Sequence, residues 1–254
     1  MNRRQFLLAS AALGALAAAP GPLLAMGESD RFAIALLNYG TPGWNPRPSA
    51  LRRLLLEVEK RTSIEVRPDP RAVSANSAEL FDTPFLVLAG DRGFEPFSQA
   101  LVDQLRAFTQ AGGFLFIDSA EGVIDGPFAK SVEREIARIF PRRKLAVVPR
   151  DHVVFKSFYL IEQPMGRLAV SPTVQGIFDE DRLLAVVSHN DLLGALARDN
   201  FGNWEFSVTP GGDRQRELAY RFGINLVMYA LTVNYKADQV HIPFILKRRR
   251  WRVD

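Results

Sequence analysis

Short, wholly apolar runs alternate with stretches of helical period over the first 140 residues. The run 31–37 (RFAIALL) stops at Asn38-Tyr39-Gly40, the mark of a strand ending in a turn. After a proline-rich loop over 41–48, Leu51, Leu54, Leu55 and Val58 recur at i, i+3, i+4 and i+7 and predict an amphipathic helix. The runs 63–67, 85–89 and 114–117 predict three more strands. They end at Pro68 and Pro70, at Gly90-Asp91-Arg92-Gly93, and at Asp118-Ser119-Ala120-Glu121-Gly122. Phe97, Leu101, Leu105 and Phe108 predict a helix capped by Gly112-Gly113, and Phe128, Val132, Ile136 and Phe140 another, stopped by Pro141. The strands show no polar alternation, so both their faces should be buried. That predicts an α/β fold with a mostly parallel central sheet and helices on both faces.

Beyond residue 145 the rhythm changes to short extended pieces at 145–148, 153–155 and 158–161. The runs 176–178 and 183–187 flank Asp179-Glu180-Asp181-Arg182 and predict a hairpin at the sheet edge. Residues 215–232 predict a last helix, apolar on most of its surface, and 240–246 a last strand before a basic tail. No repeat or linker divides residues 26–235, which read as one domain between a leader (1–25) and a tail (236–254).

At 47% hydrophobic and 24% charged residues, the composition excludes disordered and low-complexity classes. The absence of cysteine excludes a disulfide scaffold, a thiolate zinc site and a cysteine nucleophile. The net charge of +4 comes from the ends, from Arg3 and Arg4 and from the five basic residues of 247–254, so a nucleic-acid-binding body is not supported. At the far end Lys247, Arg248, Arg249, Arg250 and Arg252 surround Trp251. Such a stretch is either a solvated tail or a peripheral contact with anionic lipid head groups.

Ligands of open α/β sheets sit at the carboxyl ends of the strands. The strand-end turns here offer Asn38 and Tyr39, Gly90 and Asp91, Asp118 and Glu121, and His189, Asn190 and Asp191. If the strands are parallel these groups meet on one rim, overhung by the loop carrying Trp44, Asn45 and Arg47. Such a rim suits a small hydroxylated molecule or a peptide-like segment. A second combination, Asp118, His152, His189 and Asp191, offers an acid–base pair or a nitrogen–oxygen metal site, without any tight ligand motif. His241 has no assigned role. Ser119 lacks the first glycine of a nucleophile elbow, and neither phosphate-loop nor dinucleotide fingerprints occur, so no cofactor is predicted.

Two resemblances add to this reading. The start, Arg3-Arg4-Gln5-Phe6-Leu7 before an Ala-rich apolar run, resembles a twin-arginine signal, with cleavage expected after Ala25. That resemblance implies export of a folded protein to the periplasm. The body is similar to the bacterial family known as domain of unknown function 4159. The likeness is carried by Leu37-Asn38-Tyr39-Gly40, Trp44-Asn45-Pro46-Arg47-Pro48, Gly112-Gly113-Phe114-Leu115-Phe116-x-Asp118, Asp151-His152-Val153-Val154-Phe155 and Gly223-Ile224-Asn225. It implies a fold like that of class I glutamine amidotransferases or flavodoxin. The amidotransferase nucleophile is cysteine, which this chain lacks, and Ser119 stands where a second acidic residue is frequent. The expectation is a non-catalytic periplasmic binding or interaction module of the cell envelope, meeting a small polar ligand or a protein partner. The alternative is a metal-assisted or general acid–base hydrolase on carbohydrate-like or envelope substrates.

Overall fold

The computed structural model describes residues 31–249 apart from 75–76, with the backbone alone over 233–249. The leader 1–25 and the end of the basic tail lie outside the described residues. The strands are β1 (Ile34–Asn38), β2 (Arg71–Ser74), β3 (Phe85–Gly90), β4 (Phe114–Ser119), β5 (Ala146–Val147), β6 (Gln175–Asp179) and β7 (Arg182–Ser188). Interleaved with them are the helices α1 (Ala50–Arg61), α2 (Gln99–Gln110), α3 (Pro127–Ile139), α4 (Leu192–Leu196) and α5 (Gly212–Arg249). The sheet order is β2-β1-β3-β4-β7-β6-β5. β2, β1, β3, β4 and β7 are mutually parallel, while β6 and β5 run antiparallel at one side.

The missing polar alternation has the anticipated cause. Ile34, Leu36, Phe85, Val87, Phe114 and Phe116 point into one core, shared with α1, α4 and α5. Their neighbours Ala35, Leu37, Leu86, Leu88, Leu115 and Ile117 point into a second core, shared with α2 and α3. Successive strand residues face opposite sides, so a strand covered on both sides must be apolar at every position.

Three local expectations are corrected and one is refined. The strand beside β1 is Arg71–Ser74, not 63–67; the earlier segment contributes one bridge, Phe32 to Val66. Pro68 and Pro70, which have no N–H to donate, interrupt it before a ladder can extend. Residues 153–155 form a 3-10 turn, and 158–161 form no strand. Their backbone is held instead by the fully buried Asn225 of α5. Its Oδ1 accepts from the Tyr159 N–H at 2.8 Å, and its Nδ2 donates to the Val154 and Tyr159 carbonyls at 3.0 and 2.8 Å. The 176–187 hairpin is real, but only its β6 arm lies toward the edge, because β7 is inserted between β4 and β6. Finally, residues 240–246 continue α5 as helix, since a short apolar run does not by itself separate strand from helix.

Candidate functional site

Parallel pairing sends the C-terminal ends of β1, β3, β4 and β7 to one edge of the sheet. The register sets Gly90 beside Ser119 and Asp118 beside Ser188. The turns after Asn38, Gly90, Ser119 and Ser188 therefore share that edge, and the side chains there bond chiefly to one another and to the backbone.

Asp118, the penultimate residue of β4, is buried. Its Oδ1 accepts from the Leu192 N–H at 3.0 Å and its Oδ2 from the Leu193 N–H at 2.8 Å, which fastens the start of α4 to β4. Burial, and then the neighbouring Asp191 carboxylate, push Asp118 up to about 8; the two N–H donors and Arg47 oppose this. Asp191 forms the turn from β7 into α4 in the left-handed region, φ 51° and ψ 59°, which a short side chain that caps its own helix tolerates. Its Oδ1 accepts from the Gly194 N–H at 3.0 Å and from Arg47 Nε at 3.1 Å. Its Oδ2 accepts from Arg47 Nη2 at 2.8 Å and from Arg167 Nε. Both guanidinium groups also lie over the Phe206 ring, Arg47 at 4.1 Å and Arg167 at 5.7 Å. Asn190 holds the 164–171 loop: Oδ1 accepts from the Val170 and Ser171 N–H groups, and Nδ2 donates to the Pro164 and Ser171 carbonyls.

Toward solvent the rim is looser. Asn38 Oδ1 accepts from the Gly40 N–H and shapes the turn after β1. Tyr39 donates to the Ala89 carbonyl at 2.9 Å and lies against Phe94, and burial raises its hydroxyl above the usual tyrosine range. Gly43, at φ 90°, presses the overhanging loop onto the Asp91–Arg92 pair; a Cβ there would come within 2.4 Å of the Asp91 carboxylate. Gly90 is required because a Cβ would meet the Phe128 ring at 2.2 Å. Trp44 is half-buried against the first core, and Asn45 beside it is half-buried as well. Glu121 caps α3, with Oε1 accepting from the Phe128 N–H at 2.8 Å.

The four-residue acid–base or metal combination does not assemble, because its histidines lie at opposite ends of β7. His152 packs against Phe178 and Tyr229, and the Tyr229 hydroxyl accepts from the N–H of Leu183 near the start of β7. His189 follows the end of that strand. Six extended residues at about 3.3 Å each put His189 about 20 Å from Leu183, far beyond two metal bonds. Among the described residues no group of three His, Cys, Asp or Glu could hold a metal ion. His189 is buried, its Nδ1 has no hydrogen-bond partner among the described residues, and burial lowers its pKa against the charges of Glu133, Asp125 and Glu121.

Arg167 and Phe206 were not legible as site residues, since both lie in irregular stretches without period or motif. One usable signal was Asp191 itself, a carboxylate between two apolar segments that needs a cationic partner once buried.

The family model described as domain of unknown function (DUF4159) matches residues 33–231. The model for the TAT (twin-arginine translocation) pathway signal sequence matches residues 1–20. No curated protein matches the chain.

Proposed function

The chain belongs to the family described as domain of unknown function (DUF4159), and from that premise we propose that it serves as a non-catalytic binding or interaction module of the cell envelope. Its signal directs export across the membrane to the periplasm. One observation carries the proposal: the acidic groups that a hydrolase would need at the strand ends are spent on structure. Asp118 holds two backbone N–H groups, Asp191 holds two arginines, and Glu121 caps a helix. A general acid or base must reach the proton it moves, and these carboxylates face inward.

The same ties make the rim rigid. Asp191 joins the loops bearing Arg47 and Arg167, and Gly43 sets the Trp44 loop on Asp91 and Arg92. Trp44, Asn45 and the Asp91–Arg92 pair thus stand on a fixed support, and preorganisation of this kind lowers the cost of ordering on binding. Titration calorimetry of the purified protein with soluble peptidoglycan fragments tests the reading. Saturable binding without breakdown of the fragments, weakened at least about tenfold by Trp44→Ala in protein that remains folded, is expected. Breakdown of the fragments, or equal binding by Trp44→Ala, overturns it.

A further inference from the structure

Away from the rim, a hollow of about 320 Å³ opens between the C-terminal half of α1, the first turns of α5 and the loop from Arg198 to Trp204. Trp204 lines it, 37% exposed, and is fixed by a bridge to Arg198. The Arg198 guanidinium carbon stands 3.6 Å from the centre of the indole ring and that of Arg216 stands 3.9 Å from it. Two groups so close to one ring centre must occupy its opposite faces. Tyr220 lines the hollow too, its ring 6.3 Å from that of Trp204.

Among the described residues neither arginine of this sandwich bonds to a carboxylate. Arg216 is only 5% exposed and donates to two neutral carbonyls, Ala195 at 2.6 Å and Phe206 at 2.8 Å, and among the described residues its buried Nε has no acceptor. Arg198 donates to the Gly202 carbonyl at 2.5 Å. Three carboxylates also line the hollow, and two of them are committed elsewhere. Glu217 takes both terminal nitrogens of Arg61 and the Nε of Arg221, while Glu57 takes the Nε of Arg61. Asp213 is exposed in the first turn of α5, and its charge acts on Arg216 without a hydrogen bond. A buried cation without a bonded anion is costly, and burial lowers the pKa of Arg216 against the Asp213 charge.

We propose that this hollow binds a small molecule bearing a carboxylate or phosphoryl group, which Arg198 grips beside Trp204 while the buried Arg216 adds positive charge from the other face of the ring. Planar guanidinium forks match the paired oxygens of both groups, and the volume lies within the range of small-ligand sites. The proposal is independent of the rim, since the hollow shares none of the rim side chains.

Titration calorimetry of the purified protein with glucuronate, glucose 6-phosphate and glucose tests it, because the three share one ring and differ in the charged group. At least one anion is expected to bind about tenfold or more tightly than glucose, with affinity falling as salt rises. The stronger of the two identifies the oxyanion. Arg198→Gln should reduce that affinity about tenfold or more at a Tm near the parent's, whereas Arg216→Lys, which keeps the charge, should retain most of it. Equal binding of glucose, no saturable heat from either anion up to about 10 mM, or unchanged affinity in a folded Arg198→Gln protein overturns the proposal.

Discussion

Two arginine pairs, each over one aromatic ring, meet the short segment from Trp204 to Phe206, and their surroundings differ in one group. Arg47 and Arg167 lie over Phe206 and share the Asp191 carboxylate; Arg198 and Arg216 lie over Trp204 with none. In the first pair both guanidinium groups bond one internal carboxylate, and the cluster works as a strut joining three loops. In the second, the donors rest on neutral carbonyls and a hollow remains beside them. The contrast teaches that an internal counter-charge turns an arginine pair into structure, and that its absence leaves the pair open to an external one.

The contrast is most directly broken by removing the counter-charge. Asp191→Ala strands two partly buried guanidinium groups and the α4 cap, and should cost about 3–5 kcal/mol in urea unfolding. An effect below about 1 kcal/mol would mean that the strut carries little stability. The arginines sharpen the comparison next. Arg47→Gln should cost about 3 kcal/mol, because it leaves Asp191 short of two charge-assisted bonds. Arg198→Gln, which loses mainly the stacking on Trp204, should cost under about 1 kcal/mol. Comparable losses from the two substitutions would erase the distinction between strut and open pair.

A last test is a slope with pH. Asp118 is raised toward 8 in the folded state by burial and by Asp191, whereas an unfolded aspartate titrates near 4. Between those values the folded protein holds a proton that the unfolded chain has released. This residue's contribution to stability therefore falls as pH rises through that window. Thermal unfolding followed from about pH 5 to 8 should show Tm declining, with a shallower slope in Asp118→Asn. An unchanged slope in that variant would show that Asp118 does not hold its proton into that window.

Much of the fold was legible because burial on both faces leaves a plain trace, unbroken apolar runs in β1, β3, β4 and β7. One misplaced piece owes its form to a partner remote in sequence. Residues 153–161 look extended, yet Asn225, some 66 residues on from Tyr159, takes the backbone groups that a strand would have paired. At the candidate site, the turns meeting on one edge follow from parallel strands alone. What each side chain there does was not legible. Asp118 and Asp191 suggested acid–base chemistry, and their actual partners are α4, Arg47 and Arg167.

By itself the order of residues determined the export signal, the parallel sheet with helices on both faces, and the edge where the strand-end turns gather. These depend on local pattern and on the period of the backbone, which neighbouring residues fully express. Only the tertiary structure decided which charges are matched and which stay open. Pairing is a matter of distance and burial between residues as far as 156 positions apart, as Arg61 and Glu217 are, and no local pattern encodes that separation.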